Sequence, residues 1–308
     1  MEEFQLFIDG QAIPARSGST YESLNPANGQ PWATAAAAGV EDVNDAVAAA
    51  RRAHLSGVWS GKTAAERAAV LRKAADLFSE RQEEIVMTEV QDSGATLRKG
   101  HTADVTGAVM TFQHFADLIE EQAQEVENEE FMPVPSRNII RREPAGVVAA
   151  IIPFNFPFAA ASWKVAPALA AGCTLVLKPS PYTPATATMM AEICLEAGVP
   201  AGVFNVVTGP DNELGAALVS HPDVDKVSFT GSTSVGQIVM HACADLMRDV
   251  ILECGGKSAN ILCEDANLDG AIPCALFATF FHSGQVCESG TRILVPRSKH
   301  DEFVARLV

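Results

Sequence analysis

From Val147 onward, short apolar runs alternate with longer helical patterns, and this alternation restricts the possible folds more than any other feature. Val147 to Ile152, Thr174 to Leu177, Val203 to Val207 and Val227 to Phe229 are apolar runs of strand length. Between them, Phe158 to Ala171 reads as a helix stopped by Gly172, and Thr186 to Ala197 as a helix stopped by Gly198. Ser234 to Asp245 reads as a further helix after the last run. Runs without polar alternation are those buried on both faces, and strands joined through helices pair in parallel. The pattern therefore predicts an α/β chain built on a doubly wound parallel sheet. Ligands of such sheets bind at the carboxyl ends of strands, and Asn155, Lys178, Gly209 and Gly231 all fall just after an expected strand.

What precedes this core reads as a mostly helical preface. Phe4 to Asp9 and Tyr21 to Leu24 are expected edge strands, and Val40 to His54 an alanine-rich helix. A better-marked helix starts at Thr63, which forms a capping box with Glu66, and another is expected over roughly Thr96 to Gln122. Residues 125–143 change character. They are acidic, then marked by Pro133 and Pro135, then strand-like at Asn138-Ile139-Ile140, as suits a projecting hairpin.

Charge and cysteine usage exclude several function classes. With 38 acidic against 22 basic residues and a net charge of −16, the chain has no footprint for nucleic acid or for an anionic membrane surface. Ala145 to Trp163 is apolar enough to raise a membrane span. Pro153, Asn155 and Pro157 at its centre would leave backbone groups unpaired in lipid. The seven cysteines contain no C-x-x-C pair, which argues against a disulfide framework or structural zinc and for a reducing cytoplasm. Glu2 and Glu3 stand where a signal peptide would carry positive charge.

The chemistry is expected in Phe281 to Arg292, where Gly284 and Gly290 flank Cys287. A free thiol is only a few per cent thiolate at neutral pH, so a working cysteine needs a base or a positive field nearby. Glu253, with Val250-Ile251-Leu252 before it and Gly255-Gly256 after it, reads as the end of a buried strand delivering a carboxylate suited to general base work. Taken singly, each candidate also fits a plain role. Cys287 fits an inert small side chain, Asn155 a turn cap, Lys178 a snorkelling strand-end cation, and Gly231 to Gly236 a tight turn. That last segment matches neither the G-x-G-x-x-G nor the Walker A spacing.

Taken together, Pro153-Phe154-Asn155-Phe156-Pro157, Lys178-Pro179-Ser180, Phe229-Thr230-Gly231-Ser232-Thr233, Glu253 and Cys287 resemble the aldehyde dehydrogenase superfamily along the whole chain. The resemblance implies a Rossmann-like dinucleotide domain over 1–253 that carries an oligomerisation hairpin at 125–143. It implies the start of a second α/β catalytic domain over 254–308, with the chain stopping short of the length usual in the family. It further implies oxidation of an aldehyde to a carboxylic acid through a cysteine thiohemiacetal and thioester. In that scheme Cys287 is nucleophile, Asn155 oxyanion donor, Glu253 base for the hydrolytic water, and Lys164 part of the proton path. The dinucleotide would contact Ile151, Pro153, Phe154, Lys178, Ser180, Gly209, Gly215, Phe229, Gly231, Ser232, Gly236 and Gly255. The family's usual glutamate after Lys-Pro-Ser is replaced by Pro181, so both NAD and NADP stay open with a slight lean to NAD. The expected partners are a small aldehyde and further copies of the chain in a homodimer or homotetramer. Two other readings stand beside it: an inactive cofactor- or subunit-binding fragment, and a cysteine esterase or acyl-transferase without hydride transfer.

Overall fold

The computed structural model describes residues 1–128 and 137–308. The chain opens with β1 (Glu2–Phe4), β2 (Leu6–Ile8), β3 (Gln11–Ile13), β4 (Thr20–Asn25) and β5 (Gln30–Ala36). Helices α1 (Val40–Ser56), α2 (Ala64–Glu80), α3 (Gln82–Ser93) and the single turn α4 (Leu97–Lys99) follow. A π-helical segment (Gly100–Val105) then leads into α5 (Thr106–Glu121). The hairpin strands β6 (Glu125–Asn128) and β7 (Asn138–Arg141) precede β8 (Val147–Ile151), α6 (Pro157–Ala170), β9 (Thr174–Lys178) and α7 (Ala185–Ala197). Next come β10 (Phe204–Val206), α8 (Asn212–Ser220), β11 (Lys226–Gly231), α9 (Thr233–Asp245) and β12 (Asp249–Cys254). The remainder holds β13 (Ala259–Ile261), α10 (Leu268–Phe280), β14 (Arg292–Leu294) and α11 (His300–Leu307).

The main sheet runs β12-β11-β8-β9-β10-β2-β3. Strands β11, β8, β9 and β10 pair in parallel, while β2 pairs antiparallel with both β10 and β3. Because successive side chains point to opposite faces, β8 sends Val147 and Ala149 into one core and Val148 and Ala150 into the other. Strand β9 does the same with Val176 against Leu175 and Leu177. One core is closed by α2, α5, α6 and α7, the other by α1, α8 and α9. The fold is thus the expected doubly wound α/β sheet, with an antiparallel edge built from the N-terminus.

Local sequence accounts for most element ends. Thr63 and Glu66 form the expected capping box, with Thr63 Oγ1 accepting from the Glu66 N–H and the Glu66 carboxylate from that of Thr63. Gly198 ends α7 in the left-handed region. Gly146, at φ 119°, permits a close approach: a Cβ there would lie 1.9 Å from Asp225 Oδ2. That oxygen accepts from the Val147 N–H at 2.7 Å and from Arg51 at 2.8 Å, tying α1 to the start of β8.

Two expectations need correction. The helix expected over Thr96 to Gln122 is interrupted by the π segment at Gly100–Val105, where a Cβ on Gly100 would meet Val86 Cγ1 at 2.8 Å. Strand β12, expected buried, alternates exposed and half-buried residues, and Glu253 is exposed. It lies at the end of the strand order, where one side lacks a neighbour. Helices α3 and α8 and strand β5 do not follow from the periodicity of the sequence.

Contacts group residues 1–230 with 237–252 in one unit, and residues 231–236 with 253–308 in another. In the second unit β13 pairs in parallel with β14, and Leu262, Leu268, Ile272, Ala275 and Phe303 form a small core. In the hairpin, Glu125 and Glu127 pair across the strands with Arg141 and Arg137. The expected hairpin over 125–143 lies partly outside the described residues. Among those described, no helix is long and apolar enough to cross a membrane.

Candidate active site

In the first unit the candidate residues gather at the carboxyl ends of the parallel strands. The register sets Ile151 opposite both Lys178 and Phe229, so three candidates form one row across β11, β8 and β9. Phe229 is buried, Ile151 half-buried, and Lys178 buried with its ammonium donating to the Pro179 carbonyl at 3.3 Å. Burial pushes the Lys178 pKa down. No carboxylate pairs with it among the described residues. Gly215 on α8 packs over this ammonium stem, where a Cβ would sit 3.9 Å from both Ile151 Cδ1 and Lys178 Cδ. Ser180 Oγ accepts from the Tyr182 N–H at 3.3 Å and shapes the turn after β9. Gly209 has a packing reason of its own, since a Cβ would meet Leu214 Cδ2 at 2.9 Å.

Pro153, Phe154 and Asn155 form the bend between β8 and α6, with Phe154 exposed and Asn155 half-buried. Pro157 takes the first position of α6, where its missing N–H costs nothing. The residue before it, Phe156, makes no side-chain cap. The cap comes from far away in sequence: Glu89 Oε1 on α3 accepts from the Phe158 N–H at 3.0 Å and from the Thr186 hydroxyl at 2.6 Å. Glu89 is wholly buried, and among the described residues its other oxygen meets no donor. Burial, reinforced by the Asp104 charge, pushes its pKa up to about 8. Beside it, Lys99 forks onto both oxygens of Asp104 at 2.9 and 2.8 Å and lies 4.2 Å from the Phe156 ring centre. Asp92 accepts from the Ser23 hydroxyl and the Ala185 N–H, and burial raises it to about 6.

Lys164, on the buried side of α6, donates to Ser228 Oγ of β11 at 2.9 Å. Trp163, beside it in sequence, is 53% exposed.

In the second unit the backbone before the cysteine is unusual. His282, Ser283 and Gly284 have φ of 49°, 57° and 75°, a left-handed run that two non-glycine residues enter at a cost. Cys287 and Glu288 then form a turn closed by the Ser289 N–H on the Val286 carbonyl at 3.2 Å. Ser289 points inward, its hydroxyl donating to the Ala278 carbonyl at 2.8 Å, while Cys287 and Glu288 are exposed. The turn after β12 closes onto this loop. A Cβ on Gly256 would lie 3.1 Å from the Cys287 carbonyl oxygen, and the Ser258 N–H donates to the Ser289 carbonyl at 3.2 Å. The strand end bearing Glu253 and the turn bearing Cys287 are therefore neighbours, with Gly255 between them in open space. The thiol needs a base or a positive field to ionise, and the group it touches is a carboxylate. Cys287 Sγ donates to Glu288 Oε2 at 3.6 Å, and partial burial together with that carboxylate pushes the thiol pKa up.

Gly231 ends β11, and Ser232 caps α9 by accepting from the Val235 N–H at 3.3 Å. Gly236 lies in the first turn of the same helix.

Residues 13–308 match the model described as Aldehyde dehydrogenase family. The chain belongs to the aldehyde dehydrogenase family. Solved structures agree with this. An NAD+ complex of an aldehyde dehydrogenase from Bacillus cereus is 41% identical, with a TM-score of 0.94 over 100% of this chain. A betaine aldehyde dehydrogenase from Staphylococcus aureus in complex with NAD+ is 38% identical with a TM-score of 0.95, again over 100% of this chain. An indole-3-acetaldehyde dehydrogenase from P. syringae in complex with NAD+ is 37% identical with a TM-score of 0.96, also over 100% of this chain. The chain spans 62% of the length of each of these three relatives.

In this member of the aldehyde dehydrogenase family, Glu89, Asp92, Lys99 and Asp104 are buried polar residues that the sequence motifs do not single out. A signal is present: Glu89 and Asp92 fall on the same helical stripe as the buried Ile85, so two carboxylates occupy core-facing positions of α3. The bond from Glu288 to the nucleophile candidate follows from the turn rather than from spacing.

Proposed function

We propose that this chain carries the dinucleotide-binding and nucleophile-bearing parts of an NAD(P)-dependent aldehyde dehydrogenase that converts an aldehyde to a carboxylic acid. The observation that carries the reading is the close packing of the Glu253–Ser258 turn on the Cys287 loop, which brings a carboxylate-bearing strand end beside a thiol.

The residues at the strand ends suit a dinucleotide. Lys178 is a buried cation with one carbonyl partner and two further N–H donors, a set that matches vicinal ribose hydroxyls. Gly215 adds no side chain over its stem, and Ile151 and Phe229 give the row apolar flanks. Gly231 and Ser232 at the start of α9 offer backbone N–H groups and the helix dipole to a pyrophosphate, and Gly236, whose N–H is held by the Ser232 carbonyl at 2.9 Å, adds no side chain to that first turn. Pro153, Phe154, Ser180, Gly209 and Gly255 complete the proposed contacts. When bound, the nicotinamide dinucleotide supplies the hydride acceptor.

The chain's own residues do the rest. Cys287 Sγ gives its proton to solvent and bonds to the aldehyde carbon, opening the C=O bond to an oxyanion, the anionic form of a thiohemiacetal. Asn155 donates to the oxyanion of that adduct, and losing one such donor typically costs about 3 to 4 kcal/mol of barrier. Oxidation leaves a thioester on Cys287, and Glu253 takes a proton from the water that attacks it, so a carboxylic acid leaves and the thiol is regenerated. Lys164 serves the proton path from the buried side of α6. The hairpin β6–β7 would pair between subunits of a homodimer or homotetramer.

The test is reduced-dinucleotide formation with a panel of aldehydes. Cys287→Ala should abolish both the first turnover and the steady state. Glu253→Gln should leave a single-turnover burst while slowing the steady state by about 100-fold or more. A steady state in Glu253→Gln equal to the parent, or ester cleavage without dinucleotide reduction, would overturn the assignment.

A further inference from the structure

We propose that Glu288 makes the Cys287 site selective for aldehydes bearing a positive charge close to the carbonyl. The inference rests on the reading of Cys287 as the aldehyde nucleophile and adds to it a substrate class. Three observations carry it. First, the turn geometry turns Ser289 inward and leaves Cys287 and Glu288 outward, so the carboxylate and the sulfur share one exposed side of the loop and meet at 3.6 Å. Second, no lysine, arginine or histidine pairs with Glu288 among the described residues, so none of them neutralises its charge. The cation nearest in sequence, Arg292, is directed elsewhere, its Nε donating to the Lys257 carbonyl at 2.7 Å. Third, the thiol is the carboxylate's hydrogen-bond partner; when the sulfur gives its proton to solvent and bonds to the carbonyl carbon, opening the C=O bond to an oxyanion, that hydrogen bond is lost while Glu288 stays ionised. From that point the carboxylate lacks a donor, and a cationic group on the substrate can take the place the S–H left.

The consequence is chemical selection at the reacting centre. A neutral aldehyde adds to Cys287 and leaves Glu288 with water alone, whereas one with an ammonium group one or two carbons from the carbonyl gains an ion pair in the same step. An aldehyde ending in a carboxylate meets repulsion from Glu288, on a chain already at −16. The site is open, so the preference follows the scale of an exposed pair: about fivefold, the ratio to which about 1 kcal/mol converts.

Two measurements test this on the full chain. In the first, Cys287 is modified with methanethiosulfonates carrying a trimethylammonium group or an uncharged alkyl group, and rates are read peptide by peptide by mass spectrometry. The cationic reagent should outpace the neutral one at Cys287, and Glu288→Gln should reduce that ratio about fivefold while the ratios at exposed Cys263 and Cys274 stay fixed. A ratio at Cys287 unchanged in Glu288→Gln overturns the proposal, and unchanged rates at the other two thiols show that the variant is folded. In the second, turnover of trimethylammonioacetaldehyde is compared with that of its uncharged tert-butyl isostere. The kcat/KM ratio should favour the cation and fall about fivefold in Glu288→Gln. Turnover of both aldehydes without that fall refutes the selectivity while leaving aldehyde oxidation intact. Absence of any turnover counts against the oxidation itself, and the thiosulfonate rates still decide the electrostatic claim.

Discussion

Glu89→Gln should change how stability depends on pH, and the direction follows from the burial of this side chain. An exposed glutamate titrates near 4.5, whereas burial and the Asp104 charge push Glu89 up to about 8. Its second oxygen meets no donor, so the ionised form would leave a bare charge in the core. The folded chain then holds one proton more than the unfolded chain across the window between those two values. Stability from this group is fully present below the unfolded value and is lost as pH rises through the folded one. The slope is about −1.4 kcal/mol per pH unit well inside the window, and titration near its upper end trims it to about 1 kcal/mol between roughly pH 6.5 and 7.5. The substituted amide keeps a carbonyl oxygen for the Phe158 N–H and the Thr186 hydroxyl but has no proton to lose. Relative to the parent, the variant should therefore gain about 1 kcal/mol over that interval. Asp104 and Asp92, each raised to about 6, both act on the Glu89 charge but are largely ionised over this interval, so most of the difference in slope comes from Glu89 itself. Urea unfolding followed by tryptophan fluorescence suits the measurement, because Trp32, Trp59 and Trp163 all lie in the first unit with Glu89. Parallel stability curves for the two proteins would refute the raised pKa and the argument from burial.

Three further outcomes are open to direct measurement. Phe158→Ala removes a ring that stands edge-on to Phe78 at 5.0 Å and should cost about 3 to 5 kcal/mol in urea unfolding. Gly146→Ala forces a Cβ onto Asp225 at a left-handed φ, so unfolding should be eased by several kcal/mol, more than the ~1 kcal/mol of a typical substitution. Cys287 should alkylate with a pH profile that keeps rising beyond the usual thiol range, because partial burial and Glu288 both hold its proton. The turn bearing Glu253 and Lys257 packs on the same loop, and a profile of ordinary midpoint would count against Glu288 as the cause.

Much of the fold is legible in the sequence because strands buried on both faces leave an unbroken apolar record. Val147 to Ile151 and Thr174 to Lys178 appear in the structure within a residue of where apolar runs place them. The helix at Thr63 is legible because its cap is local, two residues bonding reciprocally over three positions. The cap of α6 is not, because its acceptor comes from Glu89, far off in sequence, and no window spans that contact. The π segment escapes for a similar reason. Periodicity registers helix, whereas the widened turn answers to a close approach between Gly100 and Val86. Glu253 is recognisable as a strand end, but its exposure depends on the position of β12 in the sheet, which its own residues do not encode. At Cys287 the sequence shows the acidic neighbour Glu288 but not that its carboxylate turns back to the sulfur, which depends on the turn.

The loop around Cys287 has a bearing on how such a site diversifies. Its shape is fixed by main-chain bonds, from Ser289 to Val286, Ser258 to Ser289, Gly290 to Ala278 and Arg292 to Ser258, with the Ser289 hydroxyl as the side-chain anchor. None of these passes through the side chain at position 288. That position is therefore a free variable, able to become acidic, neutral or basic across descendants with little penalty to the frame. Under the proposed role of Cys287, preference for a new aldehyde can drift there one substitution at a time, while the candidate sulfur stays where the peptide ladder puts it.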